Sequence, residues 1–377
     1  MAFPPTANIP LFNGASRVML IAAHPDDETL PCAVILQKAV RAGAALRVIY
    51  ITDGEDNPWA QRCLEWKWQL GATDRQRWGR LRRTEALSAL SVLGINVDQV
   101  RFFGLPDQGL SELLLHKCDY VLTRLADIID GWCPTHIFSP SNFDTHPDHN
   151  AVAVMLRLVM AEFFPNRPDI SHWNYRVHGQ TPGFVTRATE LPQSKAEIHN
   201  KLQAIFCHRT QLQLSKRRFL RYAARPEAIL RVEPDSVACC EGSIGSVSRS
   251  AETLEVDLRL AALRNRLQES MLLVLGRSSD RKHYSLRIRF PVRSGPVEII
   301  SHGCDCVAEV ASYEANAFAA KLTVPVKIFS PEDDLFIKFV RPSWFFDEAG
   351  WIQIPALIRR KGLEPTAGFE KSLLATG

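Results

Sequence analysis

Four short apolar runs, at 17–23, 45–52, 100–105 and 135–139, recur over the first 140 residues, each too brief for a buried helix and each closed by polar residues. Such runs read as strands buried on both faces. Helical periodicity lies between them: Leu30, Ala33, Val34, Leu36 and Val40 predict a helix over 28–42 with Gly43 as its C-terminal cap, and 112–131 predicts another. The alternation implies a mostly parallel sheet with helices on both faces and right-handed crossovers. Ligands bind such sheets outside the carboxyl ends of the strands. Here those ends carry His24-Pro25-Asp26-Asp27-Glu28, Asp53-Gly54-Glu55-Asp56, Pro106-Asp107 and Asp144-Thr145-His146-Pro147-Asp148-His149, so acidic and imidazole groups collect on one edge.

After His149 the pattern predicts a helix to about residue 164, a strand over 173–177, a helix over 194–208 and a basic stretch over 216–225. From about residue 229 the texture changes to short alternating runs separated by Gly, Pro, Ser and Asp, the signature of an antiparallel sandwich. We expect an α/β domain over 1–235, a β-rich, sandwich-like domain over 236–377, and a frayed last ten residues. Two domains also suit 377 residues, because single cores stop growing at about 250–300 residues.

An apolar fraction of 46% and a charged fraction of 23% are those of a soluble globular chain. A net charge of +4 supplies no general attraction to nucleic acid or an anionic membrane. No apolar stretch reaches the roughly 18 residues that span a bilayer and no leader pattern opens the chain, so a cytoplasmic protein is expected, with homo-oligomerisation left open. Nine cysteines fit a reducing compartment, with Cys239-Cys240 and Cys304-Asp305-Cys306 read as buried or inert thiols. The segment from 57 to 83 holds Trp59, Trp66, Trp68 and Trp78 among many arginines. It reads either as a lid over a site or as an amphipathic helix docking its tryptophans on the core.

A catalytic zinc site takes three N or O ligands and keeps one position open. His24, one of Asp26 and Asp27, and His149 supply such a set. Successive residues point in different directions, so one aspartate faces the metal and the other is free as a base; the residues alone do not say which. His146, three positions before His149, reaches the same cleft, where a protonated imidazole would stabilise an oxyanion or protonate a leaving amine, oriented by Asp148 or Asp144. A lone histidine at a strand end is usually structural, and an Asp pair before a helix is often only a cap. Two ligand-rich motifs on one sheet edge outweigh both readings.

The pair Ala23-His24-Pro25-Asp26-Asp27-Glu28 and His146-Pro147-Asp148-His149 resembles the signature of the PIG-L/LmbE-like zinc-dependent de-N-acetylases. Supporting likeness runs through Arg82-Arg83-Thr84-Glu85-Ala86, Gly104-Leu105-Pro106-Asp107 and Lys201-Leu202-Gln203-Ala204-Ile205 with His208 and Gln211, over about residues 17–235. The resemblance implies a Rossmann-like α/β fold and hydrolysis of the N-acetyl group of an amino sugar or its glycoconjugate. By motif position it implies that His24, Asp27 and His149 hold Zn2+, that Asp26 is the general base, that His146 is the transition-state partner, and that Arg82 and Asp107 contact substrate. Fe2+ or another divalent ion suits the same donors. The long Trp/Arg segment and the β-rich C-terminal region depart from that family's core, so the acceptor is not inherited. Other readings are an amidase acting on a non-sugar metabolite or antibiotic, transfer in place of hydrolysis, and a non-catalytic, metal-stabilised glycan-binding protein.

Overall fold

The computed structural model describes residues 9–358 except 117, 181, 234–239, 260–269, 292, 317–318 and 342–344. The expected boundary at 235/236, Cys239 and the last ten residues lie outside the described residues.

The first part runs β1 (Arg17–Ala22), α1 (Ala33–Arg41), β2 (Ala45–Thr52), α2 (Pro58–Glu65), α3 (Ala72–Val92), β3 (Val100–Leu105), α4 (Leu110–His116), α5 (Cys118–Trp132), β4 (His136–Pro140), α6 (Pro147–Phe163), β5 (Ser171–Tyr175), α7 (Pro182–Val185), β6 (Thr189–Glu190), α8 (Lys195–Cys207), α9 (Arg209–Ala224) and β7 (Ala228–Arg231). Among the described residues these strands form one sheet in the order β3-β2-β1-β4-β5-β7-β6. The five strands from β3 to β5 are parallel, while β7 pairs antiparallel with β5 and β6. The order reverses direction between β1 and β4, and such a switch point opens a crevice at the carboxyl ends. Both ligand-rich motifs follow these two strands.

Residues 25–32 form turns, so α1 begins later than the apolar period suggested. Glu227 sets that start by accepting the N–H groups of Val34 and Ile35, and Lys201 Nζ, 2.8 Å away, balances its buried charge. The expected helix over 112–131 is described as α4 and α5, on either side of residue 117. The segment from 57 to 83 fits neither expectation as a whole. Trp78 on α3 is buried, whereas Trp59, Trp66 and Trp68 on and after α2 are 62%, 91% and 78% exposed.

The second part is β8 (Ile244–Arg249), β9 (Thr253–Arg259), β10 (Met271–Arg277), β11 (His283–Arg289), β12 (Gly295–Ser301), β13 (Val307–Ala315), β14 (Ala319–Pro325), β15 (Leu335–Val340) and β16 (Ile352–Ile354). They form one antiparallel sheet, β16-β15-β10-β11-β12-β13-β14-β9-β8. Its two ends bury side chains in a common core, from Ile244 and Leu254 at one end to Ile337 and Ile352 at the other. Arg249 on β8 nearly closes the sheet by donating to the Ser330 and Asp333 carbonyls beside β15. The expected β-rich, sandwich-like part is thus a single, nearly closed antiparallel sheet. The apolar run of β10 is buried on both faces: Leu272 and Val274 enter this core, while Leu273 and Leu275 pack with Phe336 and Trp351 against residues of α5 and α6. The β-rich part is thus fused to the helices behind the crevice. Cys304 and Cys306 are exposed and bonded to each other, against their reading as buried or inert thiols.

Candidate metal centre

The chain leaves β1 through a tight turn in which Asp27 Oδ2 accepts the backbone N–H groups of Ala23 and His24 at 2.8 and 3.2 Å and the Tyr175 hydroxyl at 3.2 Å. Asp27 is fully buried, and its Oδ1 has no hydrogen-bond partner. After β4, Asp144 organises the opposing loop. Its Oδ1 accepts the N–H of His146 at 2.9 Å, and its Oδ2 accepts those of Val177 and His178 at 2.8 and 3.1 Å and Nδ1 of His149 at 3.2 Å. Burial opposes ionisation of Asp144, but His149 and these donors hold its carboxyl well below the usual carboxylate range.

The outer nitrogen of each inward-facing imidazole is occupied by a carboxylate. His24 Nε2 lies 3.0 Å from Asp107 Oδ1 and 3.3 Å from Asp148 Oδ2, and His149 Nδ1 faces Asp144. With their hydrogens on those outer atoms, the inner nitrogens, His24 Nδ1 and His149 Nε2, present lone pairs to each other only 3.0 Å apart. Asp27 Oδ1 is 3.5 Å from the same His149 nitrogen. Two facing lone pairs and an unpaired carboxylate oxygen are repulsive unless a cation lies among them, so the donor set fits a divalent metal. The same need shows in protonation. Burial alone would depress both rings, yet Asp107 and Asp148 raise the pKa of His24 well above its ordinary value, and Asp27 and Asp144 raise that of His149.

Among the described residues, three groups have donor atoms all within 4.8 Å of one another: His24–His146–His149 and His24–Asp107–Asp148 at this site, and Cys118–Asp119–His283 elsewhere. Both carboxylates of the second group are already committed, Asp148 to the N–H groups of Gln108 and Leu110 and Asp107 to that of Asp56. His146 caps α6 and accepts the N–H of Asp148 at Nδ1, 3.2 Å away, which leaves Nε2–H as a donor in the neutral ring. Burial and the neighbouring His24, His149, His178 and Lys338 push its pKa well below the ordinary value, which opposes the protonated form.

Asp26 is the less buried of the two aspartates, and Arg82 Nη2 holds its Oδ2 at 3.1 Å. Burial raises the pKa of Asp26 and Arg82 opposes that rise. Arg82 is itself buried and donates to the carbonyls of Gly54 at 2.7 Å and Pro25 at 2.9 Å. Gly54 has φ +64°, and a Cβ there would stand 1.8 Å from Arg82 Nη1, so this turn needs glycine. Arg82 and Asp107, expected on substrate, are thus engaged in aligning Asp26 and His24. Burial disfavours the Asp107 carboxylate, yet His24 and Arg82 bring it down to about 2.

Residue-by-residue reading missed His178, whose ring lies 5.2 Å from that of His149 and 5.3 Å from that of His146. Its position just past β5, on the same sheet edge, was the available signal. It also missed Phe345 and Phe346 of the C-terminal part, whose rings lie 5.2 and 5.8 Å from His146; nothing in the sequence points to them.

Residues 19–160 match the family model described as PIG-L, GlcNAc-PI de-N-acetylase. A 1D-myo-inositol 2-acetamido-2-deoxy-alpha-D-glucopyranoside deacetylase from Mycobacterium sp. (strain KMS) is 31% identical over 147 residues, covering 35% of this chain and 46% of its own length. The protein of the same name from Gordonia bronchialis is 28% identical over 175 residues, covering 40% and 59%. The chain thus spans about half the length of the curated relatives it matches. Among solved structures, the N,N'-diacetylchitobiose deacetylase from Pyrococcus horikoshii aligns with a TM-score of 0.43 and 20% identity, over 58% of this chain and 84% of that one. Residues 19–160 are thus similar to the PIG-L, GlcNAc-PI de-N-acetylase family, and the curated relatives that the chain matches are deacetylases.

Proposed function

We propose that the protein is a metal-dependent hydrolase that removes the N-acetyl group from an amino sugar or its glycoconjugate. The single observation that carries this reading is the pair of inward imidazole nitrogens at 3.0 Å beside the unpaired Asp27 oxygen, with the more open carboxylate of Asp26 next to them. His24, Asp27 and His149 would hold the ion, Zn2+ or another divalent metal such as Fe2+. Such an ion supplies Lewis acidity, which acidifies water and polarises an amide carbonyl. Asp26, aligned by Arg82, takes the proton of the attacking water and returns it to the leaving nitrogen. His146, anchored through Nδ1, offers Nε2–H to the oxyanion that develops as the carbonyl is attacked. Asp107, Asp148 and Asp144 keep the two ligand rings in the tautomers that point inward. Residues 1–235 carry this chemistry, while the described residues of the β-rich part pack against the helices that support it.

The substrate class is taken from the curated relatives, whose names specify an N-acetylated glucosaminyl inositol. Among the described residues no helix is long and apolar enough to cross a membrane; a cytoplasmic location belongs to the proposal. The test is acetate release by the zinc-loaded full chain across a panel of N-acetylglucosamine conjugates and non-sugar N-acetyl amides. Turnover of the sugar conjugates is expected, and turnover confined to non-sugar amides would overturn the substrate class. Asp26→Asn should bind metal and lose about 10²–10⁴-fold in kcat; an active variant overturns the role given to Asp26.

A further inference from the structure

We propose that Phe345 and Phe346 form a stacking platform for the apolar face of the amino-sugar ring, so that the C-terminal part supplies a wall of the substrate site. This rests on the de-N-acetylase reading and extends it to a subsite. Phe345 and Phe346 are 49% and 39% exposed, unusual for adjacent large apolar side chains set against the buried His146 and the half-buried His178. Their rings meet edge to face, 4.9 Å apart, and both stand edge-on to His146 at interplanar angles of 82° and 78°. Phe346 also lies 5.2 Å from His178.

The platform is held in place by the catalytic loop itself. Asp347 N–H donates to the Thr145 carbonyl at 2.8 Å, Asn150 Nδ2 donates to Asp347 Oδ2 at 2.8 Å, and Lys338 pairs with the same carboxylate. Asn142 Nδ2 donates to the Trp351 carbonyl at 2.8 Å. Gly350 packs so closely that a Cβ there would lie 1.6 Å from the Asn142 carbonyl oxygen. The two phenylalanines are therefore clamped at fixed positions beside the transition-state partner. His146 serves the scissile amide, whose nitrogen carries the sugar, and a rigid apolar surface at this point faces that ring. Pyranose rings expose a C–H face that packs on aromatic rings, whereas an acyclic amine offers no such face.

The test uses the zinc-loaded full chain and a Phe345→Leu, Phe346→Leu double variant, which keeps apolar volume and removes the rings. Binding of glucosamine, the product amine, is followed by ligand-observed NMR. The ratio of kcat/KM for an N-acetylglucosaminide to that for N-acetylethanolamine is measured beside it, with bound zinc as a third readout. The expected result is glucosamine binding weakened roughly three- to tenfold, the kcat/KM ratio lowered by a like factor through KM, and zinc content unchanged. Unaltered glucosamine affinity, no glucosamine binding by the wild-type chain, equal losses on both amides, or loss of zinc would each overturn the platform. Ring-dependent glucosamine binding without turnover of any amide would leave the platform standing and remove the de-N-acetylase reading. Acetate release with ring-independent binding would do the reverse.

Discussion

Replacing Asp144 by Asn tests the anchoring logic of the site most directly. The carboxylate serves four donors: His146 N–H at Oδ1, and Val177 N–H, His178 N–H and His149 Nδ1–H at Oδ2. Asn keeps a single acceptor oxygen. Turned to serve the three donors at Oδ2, it sets its amide N–H2 against His146 N–H; turned the other way it abandons three partners. The better orientation leaves one buried N–H unpaired, which costs about 1–3 kcal/mol, and removes the charge from three hydrogen bonds at about 1 kcal/mol each. The variant should therefore lose about 4–6 kcal/mol of stability, read by urea denaturation of the metal-free chain near neutral pH. Its zinc dissociation constant, measured by chelator competition, should rise about 10–100-fold, because His149 loses the anion that fixes its tautomer. The difference should also depend on pH. Asp144 is held below its unfolded pKa of about 3.9, so its contribution is complete above that pH and is lost as pH falls through the folded value. The stability gap between the two proteins should then narrow below about pH 4. A loss under about 1 kcal/mol with unchanged zinc affinity would refute the reasoning, since ordinary surface substitutions do no more.

Four further outcomes follow from burial and packing. Lys201→Met leaves the buried Glu227 without its ammonium partner and should cost about 3–5 kcal/mol in urea denaturation, although Val34 and Ile35 still donate to the carboxylate. Trp78→Ala should cost about 3–5 kcal/mol, because that ring is 1% exposed. Trp66→Ala, at a site 91% exposed, should stay within about 0.5 kcal/mol in the same assay. Gly350→Ala forces the C-terminal segment away from the Asn142 carbonyl and should destabilise by about 1–3 kcal/mol. A Gly350→Ala variant with unchanged midpoint would show that the clamp on the catalytic loop yields freely.

Much of the sheet that positions the site was legible because a strand buried on both faces must be apolar throughout, and its polar exit is then visible as a break. The strands ending at Ala22 and Pro140 announce themselves in this way, and so does the gathering of His24, Asp27, His146 and His149 at one edge. The start of α1 was misplaced because Glu227, almost two hundred residues away, sets it, and local periodicity carries no record of such a partner. The β-rich nature of the C-terminal part followed from period-two alternation; how far its single sheet curls did not, because side-chain contacts such as those of Arg249 draw its ends together.

The roles of individual side chains divide along the same line. From the residues alone, Asp26 and Asp27 were interchangeable. The tertiary structure gives Asp27 three donors on one oxygen and none on the other, and gives Asp26 the guanidinium of Arg82. Arg82 and Asp107, read as substrate contacts, pair with Asp26 and His24 in the fold. The amino-acid sequence by itself determined that imidazoles and carboxylates meet at the carboxyl edge of a parallel sheet, since apolar periodicity and motif position are local properties. Only the tertiary structure decided which atoms face inward, and that Phe345 and Phe346 stand beside His146, because hydrogen bonds between distant segments set those directions.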